Sequence, residues 1–245
     1  MKPIHIFYHL FTVNKWRQLF TYHINSIVKS GLYDACTNMH LGIVFQHPSD
    51  LKDVRGIEQQ YPKLNIIGVR EYNDLPVKIW NDPEQYMNVQ PGECETILKL
   101  VEFAKKNNED SNYLFLHSKG VTHPNDKNRN QIKYFYGKGL NQEADKNTTA
   151  EFILEDLTNN VVFNWKEIIS LLNTNNYYHY VFNFFWLSGE ALNQFELENY
   201  DKFSTKGKKH GRNNRHYTAR FPINLYEANN KVTIRNQGQI IPFLK

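Results

Sequence analysis

Short apolar runs at residues 4–8, 41–45, 64–69 and 113–116 alternate with segments whose apolar residues fall at helical spacing. This alternation narrows the possible folds more than any other feature. In the first such segment Asn14 is placed to cap a helix, with Trp16, Phe20, Ile24, Ile27 and Val28 on one face. Gly31 then supplies the chemistry of a helix end. Polar residues 50–60 read as a second helix. Pro91 and Gly92 introduce a third, with Glu93 and Glu95 in its first turn, where the helix dipole favours acids, and with Ile97, Leu98, Val101 and Ala104 as its apolar face. Strand–helix alternation of this kind predicts a single-domain α/β sandwich around a largely parallel sheet.

Beyond residue 124 the pattern changes. Residues 125–160 are polar and helical in parts, around the loop "GLNQEADKNTT". Residues 165–172 form an amphipathic helix, and the aromatic run "YYHYVFNFFWLSG" (177–189) reads as a strand. A short helix near residues 190–195 precedes the basic segment 206–220, and 221–232 suits strand and turn. There is no internal repeat.

With 245 residues, 40% of them hydrophobic, the chain is too apolar for a disordered protein. Its net charge is +4, yet residues 206–220 hold six Lys and Arg and no acid; +4 less these six leaves −2. Attraction to anions is therefore local, which disfavours a general nucleic-acid binder. Cys36 and Cys94 have no metal-type spacing and read as reduced thiols of a cytoplasmic protein. No apolar run approaches the ~20 residues that span a bilayer. The amino terminus, broken by histidines, reads as a strand and not as a signal peptide.

In a parallel α/β sheet, ligands bind outside the carboxyl ends of the strands. There the run 113–116 delivers His117-Ser118-Lys119-Gly120. Lysine is a mobile positive charge for a phosphate, glycine lets the backbone approach closely, serine adds a hydroxyl, and histidine can ligate a metal or donate to a phosphate oxygen. An ordinary solvated turn is the competing reading.

The segment "YLFLHSKGV", followed by "NFFW" at 183–186, resembles a group of glycosyltransferases with the GT-A fold. Their hallmark segments run aromatic-Leu-His-Ser/Thr-Lys-Gly and Asn-Phe-Trp-Trp. "IFYHLFTVNKWRQLF" and "SGLYD" are similar to the opening strand and helix of the same group. The resemblance implies a GT-A-like, Rossmann-like fold, with residues 1–124 as the nucleotide-binding half and 125–245 as the acceptor half. It also implies transfer of a sugar from a nucleotide-sugar donor to a glycan or other hydroxyl acceptor. In such folds an Asp-x-Asp pair usually ends the fourth strand and holds Mn²⁺ or Mg²⁺ on the diphosphate. Here that place reads His117-Ser118-Lys119, so the expectation is that Lys119, with His117 and the Gly120 amide, neutralises the leaving phosphates. His117 as a metal ligand is the alternative.

Further roles follow from the same resemblance. His9, at the tip of the first strand, would touch the nucleotide base. Asn183 would bond sugar hydroxyls and Trp186 stack on a sugar ring, with core packing as the other reading of the tryptophan. Arg212, Arg215 and His216 would reach the diphosphate from the basic segment. Glu190 is the nearest carboxylate to serve as general base, against the plainer reading of a surface acid at a helix start. Two competing functions remain: a catalytically inactive GT-A-like domain that binds a nucleotide or glycan, and a nucleic-acid-binding module using 206–220.

Overall fold

A computed structural model describes residues 1–13, 16–71, 92–107, 110–118, 158–175, 177–180 and 184–193. In chain order the elements are β1 (Ile4–Thr12), α1 (Trp16–Lys29), α2 (Leu32–Ala35), β2 (Asn38–Phe45), α3 (Pro48–Glu58), β3 (Leu64–Glu71), α4 (Gly92–Asn107) and β4 (Asn112–His117). A π-helical turn (Asn159–Phe163), α5 (Trp165–Asn175), β5 (Tyr177–Tyr180), β6 (Phe184–Ser188) and α6 (Gly189–Asn193) follow. The expected readings of 125–157 and 194–245 lie outside the described residues, as do those of Asn14 and Pro91.

The six strands form one sheet in the order β3-β2-β1-β4-β6-β5. The first four are parallel. β6 runs antiparallel to β4, and β5 antiparallel to β6. The α/β architecture with a largely parallel sheet is thus as expected. The run 177–189 is not one strand but two, with Tyr180 paired to Phe184 across a chain reversal. A single strand of that length would extend about 43 Å at ~3.3 Å per residue, far beyond its neighbour β4.

Strand alternation divides the core in two. Ile4, Ile6, Tyr8 and Leu10 of β1 face α1, Val54 of α3, the π-helical turn and α5. Phe7 faces the other way, with Phe115 and Phe185, under α4 and Leu192 of α6. Both faces of the sheet are therefore covered, as a parallel sheet requires. On α1 the buried stripe includes Trp16, Phe20, His23, Ile24 and Ile27. Val28, expected on that face, is 41% exposed, because it lies one residue step beyond Ile27 around the helix. Gly31 then adopts φ 74°, a left-handed conformation suited to glycine, and its N–H donates to the Val28 carbonyl.

Among the described side chains of α4 the buried apolar residues are Ile97, Leu100, Val101 and Ala104, the i, i+3, i+4, i+7 pattern, whereas Leu98 is only half-buried. The helix approaches β2 and β3 closely where those strands carry glycine, at Gly42 and Gly68. His9, Gly42 and Gly68 lie in one row across β1, β2 and β3. A Cβ on Gly42 would stand 2.1 Å from Thr96 Oγ1, and one on Gly68 would stand 2.9 Å from Lys99 Cε.

Two features brace the opposite, amino-terminal edge. Lys63 Nζ donates to the carbonyls of Tyr33, Asp34 and Cys36, closing α2. Cys36 is buried and free, and burial pushes its thiol up to about 11, so it stays protonated. Nearby, on the α4 side, His5 and His40 stack at 6.0 Å among Phe7, Phe103 and Tyr113. Among the described residues no helix is long and apolar enough to cross a membrane.

Candidate functional site at the carboxyl edge of the sheet

The strand order counts down from β3 to β1 and then jumps to β4. A reversal of this kind opens a crevice at the carboxyl ends of the two strands where the order turns, here β1 and β4. His9 and His117 are cross-strand partners at that point, and β1 continues to Thr12.

Three sets of hydrogen bonds fix the end of β1 and the start of α1. From the α4 side, His9 Nδ1 pairs with Thr96 Oγ1 at 2.9 Å, over the glycine row. From β4, the Ser118 N–H donates to the His9 carbonyl at 3.0 Å, and the Phe11 N–H donates to Ser118 Oγ at 2.9 Å. From α3, the buried Asp50 carboxylate accepts from Trp16 Nε1 at 3.2 Å and from Arg17 at 2.9 Å. Arg17 also grips Asp53 through two nitrogens, and its guanidinium lies 4.7 Å over the Trp16 ring. These restraints preorganise the switch point, which is what a binding or catalytic site demands of its scaffold.

Beneath the edge lies a buried polar pair. Tyr8 Oη stands 2.7 Å from His23 Nδ1. Burial, and secondarily the nearby His117, lower His23 to about 3, while burial raises the Tyr8 phenol. Both groups are therefore neutral, and the hydrogen bond joins the Tyr8 hydroxyl to a neutral imidazole whose tautomer sets which of the two donates. Phe184 touches both His23 and His117, with ring centroids at 6.2 and 5.1 Å.

The expected site residues fare differently. His117 stands at the switch point, buried, with its ring against Phe115 and Phe184. His9 is there too, but its ring is buried and bonded to α4, so it braces the scaffold instead of presenting a face to a nucleotide base. Trp186 is fully buried and donates from Nε1 to the Val161 carbonyl at 3.0 Å. The stacking role is corrected accordingly: this indole belongs to the core, and the indole N–H finds its partner inside. Lys119, Gly120, Asn183, Arg212, Arg215 and His216 lie outside the described residues.

Glu190 requires the largest correction. β6 is antiparallel to β4, with Ser188 beside Asn112, and the Gly189 N–H donates to the Ser111 carbonyl. The exposed Glu190 therefore sits at the amino end of β4. The span from Asn112 to His117 is about 17 Å at ~3.3 Å per residue, too far for a proton transfer at the tip. Sequence proximity to "NFFW" suggested a shared site, but the strand direction separates them.

Sequence reasoning missed Thr96, Asp50 and the actual bond made by Ser118. The first two carry no local signal, because their partners are 87 and 34 residues away. Ser118 was in view, but only the register reveals what its hydroxyl binds. Among the described residues no group of three or more His, Cys, Asp or Glu is placed to hold a metal ion. No protein-family model matches the sequence, and no curated protein matches it.

Proposed function

We propose that this chain is a GT-A-like glycosyltransferase that moves a sugar from a nucleotide-sugar donor to a glycan or other hydroxyl acceptor. The observation that carries the reading is the strand-order reversal between β1 and β4, with His117-Ser118 ending β4 at the crevice and Lys119-Gly120 next in sequence. The donor's diphosphate lies at that corner, and Lys119 stabilises the charge that develops on it as the glycosidic bond breaks. Arg212, Arg215 and His216 supplement this charge, and Asn183 binds donor hydroxyls. If Mn²⁺ or Mg²⁺ takes part, His117 is the ligand this corner offers, and the metal supplies charge neutralisation on the phosphates. The general base is unassigned, since Glu190 is excluded by its position.

A thermal-shift panel of UDP-, GDP- and dTDP-sugars, each with and without Mn²⁺, tests the reading. A donor that binds the folded state raises the melting temperature by mass action. Lys119→Ala should abolish most transfer with little change in melting temperature. Full activity in that variant would overturn the assignment of the tip, and turnover abolished by EDTA and restored by Mn²⁺ would replace the lysine by a metal.

The displacement of Glu190 favours a second reading, a catalytically inactive domain that binds a nucleotide sugar or glycan through the same crevice. Binding in the thermal-shift panel without hydrolysis or transfer would select it.

A further inference from the structure

We infer that Ser118 is a positioning residue: its hydroxyl replaces its own main-chain carbonyl in the β1–β4 ladder and thereby sets where the chain leaves the sheet ahead of Lys119. The inference rests on the reading of this corner as the anion-binding tip.

The register supplies the argument. His9 pairs with His117, so the next position sets Ser118 against Leu10. A regular parallel ladder continued at that position needs two bonds: Ser118 N–H to the carbonyl of His9, and Phe11 N–H to the carbonyl of Ser118. The first is present at 3.0 Å. The second is made at 2.9 Å, but to Ser118 Oγ. The Phe11 amide thus keeps an acceptor while the Ser118 carbonyl is released from the ladder. The sheet ends one residue earlier than its register requires, without leaving that donor stranded. Ser118 is 5% exposed and its hydroxyl oxygen is taken by the Phe11 N–H, so the hydroxyl is turned into the ladder with only its proton left to donate. It acts on the ligand through the chain direction.

The test compares wild type, Ser118→Ala and Ser118→Thr by three measurements: amide exchange at Phe11, melting temperature, and titration with inorganic pyrophosphate and the nucleotide-sugar panel. Ser118→Ala should exchange the Phe11 amide faster and lose about tenfold or more in affinity for pyrophosphate, which corresponds to about 1.4 kcal/mol or more. Ser118→Thr, which keeps the hydroxyl, should restore both. Should the alanine variant not fold, Ser118→Thr against the isosteric Ser118→Val makes the same comparison. Unchanged affinity in the variants lacking the hydroxyl would overturn the inference while leaving the functional reading intact. Lost affinity that threonine fails to restore would also overturn it. A wild type that binds neither pyrophosphate nor any nucleotide sugar would remove both.

Discussion

Among the described residues neither ring nitrogen of His40 has a hydrogen-bond partner, and the ring lies 4.7 Å from Phe103 and 4.5 Å from Phe7. Burial, and then the neighbouring His5, lower it to about 4, against about 6.5 for an unfolded chain. The folded state therefore favours the neutral imidazole. Its contribution is complete above pH 6.5 and drains away as the pH falls toward 4, because the unfolded chain takes up the proton first. A shift of that size amounts to about 3 kcal/mol across the window. Urea denaturation at pH 7.5 and pH 5 should show about 2 kcal/mol of this loss in the wild type, and a shallower fall in His40→Leu. Glycines at the same scale separate by what they face. Gly42→Ala would drive a methyl into Thr96 Oγ1 and displace the His9 bond with it, at a cost of about 1–3 kcal/mol. Gly68→Ala meets only the far end of the Lys99 side chain, and denaturation should show a clearly smaller loss.

Among the elements, the joint between α1 and α3 is the one that holds the β1–α1 connection at the switch point. Its two carboxylates are unequal. Asp50 is buried and accepts from an indole N–H that has no access to water, whereas the Asp53–Arg17 pair is solvated. Asp50→Ala should therefore cost about 1–3 kcal/mol by leaving the Trp16 donor buried and unpaired. Asp53→Ala should cost less than about 1 kcal/mol, as exposed ion pairs do. Equal losses in the two variants, read from urea midpoints, would show that the joint is held by charge alone. The helices themselves were legible from periodicity, but their rims were not. Val28 and Leu98 fit a generous apolar face and yet lie off the buried stripe, since the width of that stripe is set by the surface it meets.

At the scale of the molecule, the direction of β6 separates what the sequence places close together. "NFFW" and Glu190 are neighbours in the chain, yet Phe184 starts its strand at the carboxyl edge and Glu190 follows at the amino edge. Glu190→Gln should accordingly leave sugar transfer unchanged, measured as release of the nucleotide product in the presence of acceptor. A large fall in kcat with intact folding would require a different arrangement of the two edges.

The alternation of apolar runs and amphipathic helices determined the α/β architecture, the parallel half of the sheet and the delivery of His117 and Ser118 to a strand end, because periodicity and turn chemistry are local properties. Only the tertiary structure decided which strands adjoin and in which direction they run. Those two facts tie Thr96 and Ser118 to the end of β1 and Asp50 to the start of α1, enclose Trp186 and carry Glu190 to the far edge. Such pairings are chosen by burial and register between segments far apart in the chain, so no short stretch of residues encodes them.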